Sequence, residues 1–369
     1  MSKSRVIALL LAGWTTAASA QRPKSPIDHL LIVTMDGVRW QEIFGGAQRE
    51  LISAGSGGVA DTIGLTRRFH RDTPEAGREA LMPFLWGAIA RSGWIRGDSS
   101  AGFPVRVTNG KRFSYPGYNE LLTGAPDDRI DSNDKIPNPN VSVLEWLNTR
   151  PGFRGSVAAF GSWDVLPFIL NGSRSGIPAN GDGPPVANPA TPEERLLNDF
   201  AAALPPYWGN VRFDAVTMQG ALYHLKTRKP RVLYVMMGDT DEWAHERRYD
   251  LYLDAVHRGD GFLKTLWGTV QRMPEYRGRT ALLVATDHGR GSGNDWTDHG
   301  RDVPASDRIW MAGLWTGSGE TRPGSGERGA VSGGPLTQAQ FAATIAGLLG
   351  LEAEYRRANP KAARSVFVP

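Results

Sequence analysis

Three apolar runs of this chain stop on an aspartate: His29–Asp36 (HLLIVTMD), Arg231–Asp239 (RVLYVMMGD) and Thr280–Asp287 (TALLVATD). Two more, Ser156–Ser162 (SVAAFGS) and Ile309–Gly317 (IWMAGLWTG), share their richness in apolar residues. Short continuous apolar segments are the mark of strands buried on both faces, which belong to parallel sheets. Helical patterns fill the intervals: VSVLEWLNTR before the second run, AVTMQGALYHLKTRKP before the third, YDLYLDAVHRGDGFLKTLWGTVQRM before the fourth and LTQAQFAATIAGLLGL near the end. That alternation predicts an α/β fold, a three-layer sandwich around a mostly parallel central sheet. Ligands of such sheets bind outside the carboxyl ends of the strands. Aspartates at three strand ends therefore mark one rim as the place to look for chemistry.

Two stretches do not fit the alternation. Residues 40–112 are rich in Gly and Arg with weak periodicity, and residues 171–210 are dense in Pro, Gly and Asn. Both are expected to be irregular insertions in a single catalytic domain covering 21–369. Residues 1–20 are set aside as a secretory signal: a basic start at Lys3 and Arg5, an apolar core from Val6 to Trp14, and a small-residue end at Ala18-Ser19-Ala20. An uncleaved anchor is the alternative. After cleavage no stretch is long enough to span a bilayer, so a periplasmic or secreted protein with no membrane anchor is expected. Losing Lys3 and Arg5 lowers the formal net charge from +4 to about +2, and with no dense basic block nothing indicates a nucleic-acid polymer as partner. The chain has no cysteine. Disulfides and thiolate metal sites are thereby excluded, and any metal must be held by imidazole and oxygen donors.

The polar residues past the strand ends are of that kind. In GDTDEWAHERR, Asp241 and His245 are four residues apart, so on a helical turn they face the same way. That suits a shared ion, or else a helix capped by Asp241 with His245 exposed. In ATDHGRGSGNDWTDHG, Asp287 and His288 are followed by glycines and then by His299. Of the seven histidines, three (His245, His288, His299) lie beside these carboxylates. Carboxylates converging on one rim repel each other, and a cation is the natural compensation. Asp36, Asp241 and Asp287 with the three imidazoles suffice for two ions with open positions, zinc by donor type and manganese as an alternative. Ser114, in KRFSYPGYNELLTG, sits at a strand–turn–helix junction above Tyr115 and Tyr118. A nearby cation would lower the pKa of its hydroxyl and make it nucleophilic. Two ions roughly 4 Å apart can clamp the attacking and leaving oxygens of an in-line displacement.

From about Leu30 to His299 the chain resembles the alkaline phosphatase superfamily of metallohydrolases, which includes nucleotide pyrophosphatase/phosphodiesterases, cofactor-independent phosphoglycerate mutases and sulfatases. VTMDG, SYPGYNELLTG, DTDEWAH and TDHG…DHG occur in the family's order. The resemblance implies one ion on Asp241, His245 and His299, and a second on Asp36, Asp287, His288 and the Ser114 oxygen. It also implies a phosphoryl-binding role for Asn133, some ten residues past the Thr-Gly pair, where a loop-capping asparagine is the other reading. The pattern departs from the family at Ser-Tyr-Pro-Gly, where the phosphodiesterase branch carries Thr-x-Pro-Asn, and at Tyr118, which takes the arginine position of the sulfatase signature. Conversion of Ser114 to formylglycine is therefore disfavoured. An exported chain also does not suit a glycolytic mutase. The expectation is an exported two-metal hydrolase acting on a small-molecule phosphate ester through a phosphoserine, with Ser114 as nucleophile. Arg174 in the second insertion is a candidate contact for the substrate's anionic group, or a surface arginine. A sulfate-ester hydrolase and a non-catalytic metal- or ligand-binding member of the fold are the competing readings.

Overall fold

The computed structural model describes residues 27–181, 183–315 and 335–366; the expected signal segment lies outside them. A seven-stranded sheet forms the centre. In chain order its strands are β1 (His29–Met35), β2 (Trp94–Arg96), β3 (Val157–Gly161), β4 (Ala179–Asn180), β5 (Val232–Met237), β6 (Thr280–Ala285) and β7 (Met311–Trp315). Across the sheet they run β2-β7-β6-β1-β5-β3-β4. The five from β6 to β4 are parallel. Each long strand sends alternate residues to opposite faces: on β1, Leu30 and Ile32 join one apolar cluster, while Leu31, Val33 and Met35 join the other. Helices α1 (Ser114–Thr123), α2 (Val143–Asn148) and a C-terminal helix, Gln340–Leu348, pack against the first face. Helices α3 (Asp214–Arg228) and α5 (Tyr249–Arg272) cover the second, with the short α4 (Asp239–His245) at the strand ends between them in sequence. The expected three-layer α/β sandwich is what forms. Both faces are covered, which is why the strands read as unbroken apolar runs.

Three expectations need correction. The fifth apolar run forms β7, but antiparallel to β6. A parallel return needs a crossover to the opposite end of the sheet. Here the chain leaves β6 at Ala285, builds the loops that carry Asp287 to His299 with only a 3₁₀ turn at Gly293–Thr297, and re-enters from the same end. Its last two expected residues, 316 and 317, lie outside the described residues.

Residues 40–112 are not irregular. They form helices at Trp40–Gly45, Thr62–Phe69 and Pro74–Leu81, then the edge strand β2, and only after it a loop that holds a two-residue strand at Val105–Arg106. The helices are short, and side-chain caps start two of them: Asp61 accepts from Gly64 N at 2.8 Å, and Thr73 accepts from Ala76 N at 3.3 Å. Residues 171–210 contain β4 and a helix at Pro192–Ala203. Thr191 and Glu194 close a capping box there, a signal legible as T-x-x-E in the sequence. Among the described residues no helix is long and apolar enough to cross a membrane.

Candidate active site

Asp36 is the first residue beyond β1. Its N–H still donates to Met237 O at 3.0 Å, and its carbonyl accepts from Thr240 Oγ at 2.5 Å. Tyr118, on α1, donates its hydroxyl to Asp36 Oδ2 at 2.9 Å. Asp287 follows β6 in the same way: its Oδ1 accepts from Gly37 N at 3.1 Å, and its carbonyl accepts from Gln338 Nε2 at 2.6 Å. Asp241, in the first turn of α4, and His245, its last residue, face each other, Oδ2 to Nε2, at 3.1 Å. Asp239, the third strand-end aspartate, is a strut: it accepts from Asp214 N at 2.8 Å, while Asp214 accepts from Gly238 N at 2.7 Å. That reciprocal pair fixes the turn that aims α4.

The seven residues singled out in the sequence converge. His288 is fully buried at the centre. Its Nε2 lies 3.3 Å from Asp36 Oδ1, 3.6 Å from Asp287 Oδ2, 3.7 Å from Asp241 Oδ1 and 3.4 Å from Ser114 Oγ. His299 stacks on His288 with ring centroids 4.1 Å apart, and its Nε2 is 3.1 Å from His245 Nε2. The outer nitrogens orient both rings: His288 Nδ1 is 3.0 Å from Gly289 O, and His299 Nδ1 is 3.3 Å from Arg112 O. A proton at each Nδ1 leaves each Nε2 lone pair aimed inward, the arrangement second-shell carbonyls impose on metal-binding histidines. Ser114 opens α1 and is buried. Its loop is pinned from below by Glu120, which accepts from Thr108 N at 3.0 Å and Asn109 N at 2.8 Å, while Asn109 Oδ1 accepts from Lys111 N and Arg112 N at 2.9 Å each.

The donor set suits divalent cations. Asp36 Oδ1 and Asp287 Oδ2 are buried with no hydrogen-bond partner, a costly state unless something positive faces them. Two trios present ligand atoms close enough to share an ion: Asp36 with Asp287 and His288, and Asp241 with His288 and His299. Burial, then the neighbouring Asp241, pushes the Asp36 carboxyl well above the usual carboxylate range; burial, then Asp36, does the same to Asp287. For Asp241 burial acts upward too, but Arg290 and then His245 outweigh it and hold the carboxyl well below that range. Burial, then the adjoining His288, lowers His299 to about 2, so it is a neutral donor at ordinary pH.

The structure places the other candidates differently. Asn133 is exposed, its Oδ1 accepting at 3.0 Å from the N–H of Tyr115, the residue after Ser114. Arg174 is held elsewhere: it donates to both oxygens of Glu145 at 2.7 and 2.8 Å, and to the carbonyls of Pro139 and Asn140. Sequence reasoning passed over Arg290, Glu120 and the hydroxyl of Tyr118. A fully buried arginine two residues past a histidine leaves no pattern to find. Gly37 was quoted only within its motif, yet its φ is +59°, and a Cβ there would come 2.8 Å from both Arg290 Nε and Asp241 Oδ1 and 3.1 Å from His288 Cε1.

No protein-family model matches the chain and no curated protein matches its sequence. Solved structures do. A putative sulfatase from Bacteroides thetaiotaomicron superposes with a TM-score of 0.54 at 12% identity, covering 92% of this chain and 76% of that one. The C-terminal periplasmic domain of EptC from Escherichia coli, in complex with zinc, matches with a TM-score of 0.52 at 11% identity, covering 94% and 88%. The chain shares its fold with these structures. The lipoteichoic acid synthase LtaP from Listeria monocytogenes shares this fold too, with a TM-score of 0.52 at 12% identity, covering 89% and 73%.

Proposed function

We propose that the chain is an exported, metal-dependent hydrolase of small-molecule phosphate esters with Ser114 as its nucleophile. One observation carries the reading: Ser114 Oγ sits 3.4 Å from His288 Nε2, inside a ring of buried carboxylates of which two oxygens have no partner. A hydroxyl that served only to start a helix would not need three aspartates from three strand ends around it. In this reading Asp36, Asp287, His288 and the Ser114 oxygen hold one divalent ion, and Asp241, His245 and His299 hold the other. Zinc suits the donors, with manganese as the alternative. When bound, the ions supply positive charge that favours the ionised hydroxyl and the developing charge on the phosphoryl oxygens.

The chain's own residues do the rest. The Glu120 and Asn109 bonds hold the Ser114 loop in register, and Tyr118 holds Asp36. Ser114 loses its proton to water as its oxygen attacks phosphorus. A phosphorus–oxygen bond forms, the bond to the leaving alcohol breaks, and that alcohol takes up a proton. Water then attacks phosphorus, the bond to the Ser114 oxygen breaks, phosphate (or, from a diester, its monoester) leaves, and the serine oxygen takes up a proton. Exposed Asn133 offers its side-chain amide protons to a phosphoryl oxygen while its carbonyl caps α1. Arg174, spent on Glu145, is left out of the substrate site. Sulfate esters are disfavoured because the position of the signature arginine is filled by Tyr118, whose hydroxyl is committed to Asp36.

The test is turnover of p-nitrophenyl phosphate and its bis ester by zinc-reconstituted protein. Ser114→Ala should lose both activities by at least about 10³-fold, the scale expected when a nucleophile is removed. Equal rates from wild type and variant would remove Ser114 from the chemistry.

A further inference from the structure

The residue that ties this centre together is none of the expected ligands. Arg290 is fully buried although it is an arginine, and its guanidinium touches every segment that brings a metal donor from a strand end. One terminal nitrogen donates to the Asp241 carboxylate at Oδ1 and to the Asp241 carbonyl at 3.2 Å. The other donates to the carbonyl of Thr297, two residues before His299. Its own backbone follows Asp287 and His288. Its Nε has no hydrogen-bond partner and lies against Gly37, the residue after Asp36, so closely that a methyl group there would be 2.8 Å away. The surroundings give it nothing to do as a surface charge and leave no route to solvent.

We infer that Arg290 is a resident cation of the centre: it draws the ligand-bearing segments together before any ion arrives, and it competes with the outer ion for Asp241. This rests on the two-ion reading above. The physical argument has two parts. Without a cation, the three carboxylates would meet with nothing to offset their mutual repulsion, and a planar guanidinium is the side chain able to bridge a carboxylate and two carbonyls at once. The same positive charge sits on Asp241, one of three donors of the outer position, with its other oxygen facing His245. An ion entering there meets a donor already engaged and a like charge beside it. At the inner position the guanidinium acts on Asp36 only through space, and the orphaned oxygens of Asp36 and Asp287 accept no hydrogen bond from it, so an ion there displaces nothing. The pair of sites is thus built with unequal affinities: a firmly held inner ion and a more exchangeable outer one. Arg290 is a positioning residue and touches no reacting atom.

The experiment is zinc titration of chelator-stripped full-length protein by calorimetry, together with melting in EDTA, for wild type, Arg290→Met and Arg290→Lys. Wild type should bind two equivalents in separated steps. Arg290→Met should melt lower in EDTA, yet its weaker step should tighten about tenfold or more, closing the gap. Arg290→Lys keeps the charge without the fork; it should also melt lower while the weak step stays weak. If Arg290→Met does not fold, the lysine variant decides alone, and a tightened weak step there overturns the inference. Two equivalents with an unchanged or weakened outer step in Arg290→Met overturn it as well. A single equivalent in wild type would instead sink the two-ion reading, and this inference with it.

Discussion

Gly37 offers a quantitative probe of how tightly the centre is packed. Gly37→Ala adds one methyl group at a φ of +59°, where it would lie 2.8 Å from Asp241 Oδ1 and from Arg290 Nε. An L-residue held in left-handed backbone costs about 1–2 kcal/mol, and a methyl forced into a filled site adds about 1–3 kcal/mol. The sum is about 2–5 kcal/mol. For a chain of 369 residues the unfolding entropy is about 0.8 kcal/mol/K, so the melting temperature should fall by roughly 3–6 °C. Relief of the contact must also move Asp241 or His288, so zinc affinity should drop at least about tenfold. Gly261→Ala is the control of opposite sign. It lies on the exposed side of α5, where a Cβ meets nothing within 4 Å, and helix propensity alone should raise stability by about 0.8–1 kcal/mol. Scanning calorimetry in EDTA followed by zinc titration measures both effects. A Gly37→Ala protein that melts within about 1 °C of wild type and binds zinc as tightly would refute the packing described here.

Two further outcomes are expected. Tyr118→Phe deletes the hydroxyl that donates to Asp36 Oδ2 at 2.9 Å inside the core; loss of a buried hydrogen bond should cost about 0.5–1.5 kcal/mol, measured by urea unfolding in chelator, while the fold stays intact by circular dichroism. His224 reports pH through a site unconnected with the ligands: burial, and then the charge of Arg228, lower its pKa to about 4. The unfolded ring, near 6.5, therefore binds a proton that the folded ring refuses, and stability present above pH 6.5 is lost as the pH falls towards 4. With part of the ring open to solvent the effect is about 1–2 kcal/mol, and His224→Phe should flatten that limb of the stability–pH curve measured between pH 7 and 4.

Much of the architecture was legible because it repeats along the chain. The runs that became β1, β3, β5 and β6 were apolar at every position because helices cover both faces of the sheet, and the helices after them carried their own period. The convergence of the polar residues was legible too. Asp36, Asp241, Asp287 and the three histidines lie in the segments that follow three strands, and in a parallel sheet strand ends share one rim whatever their order. Residues 40–112 were missed because their helices are short and separated by Gly- and Arg-containing loops. The capping box at Thr191–Glu194 was visible and unused.

By itself, then, the sequence determined which residues would meet: local alternation sets each strand, and parallel pairing sends every carboxyl end to the same side. Tertiary structure alone decided the polarity of β7, the hydroxyl that holds Asp36, the strut of Asp214 on Asp239 and the guanidinium on Asp241. Each depends on contacts between residues tens to hundreds of positions apart or on the path of a loop, and no backbone repeat encodes a neighbour at that distance. Burial then raises the stakes of these choices, because a charge removed from water must find its partner among the groups that packing happens to bring near.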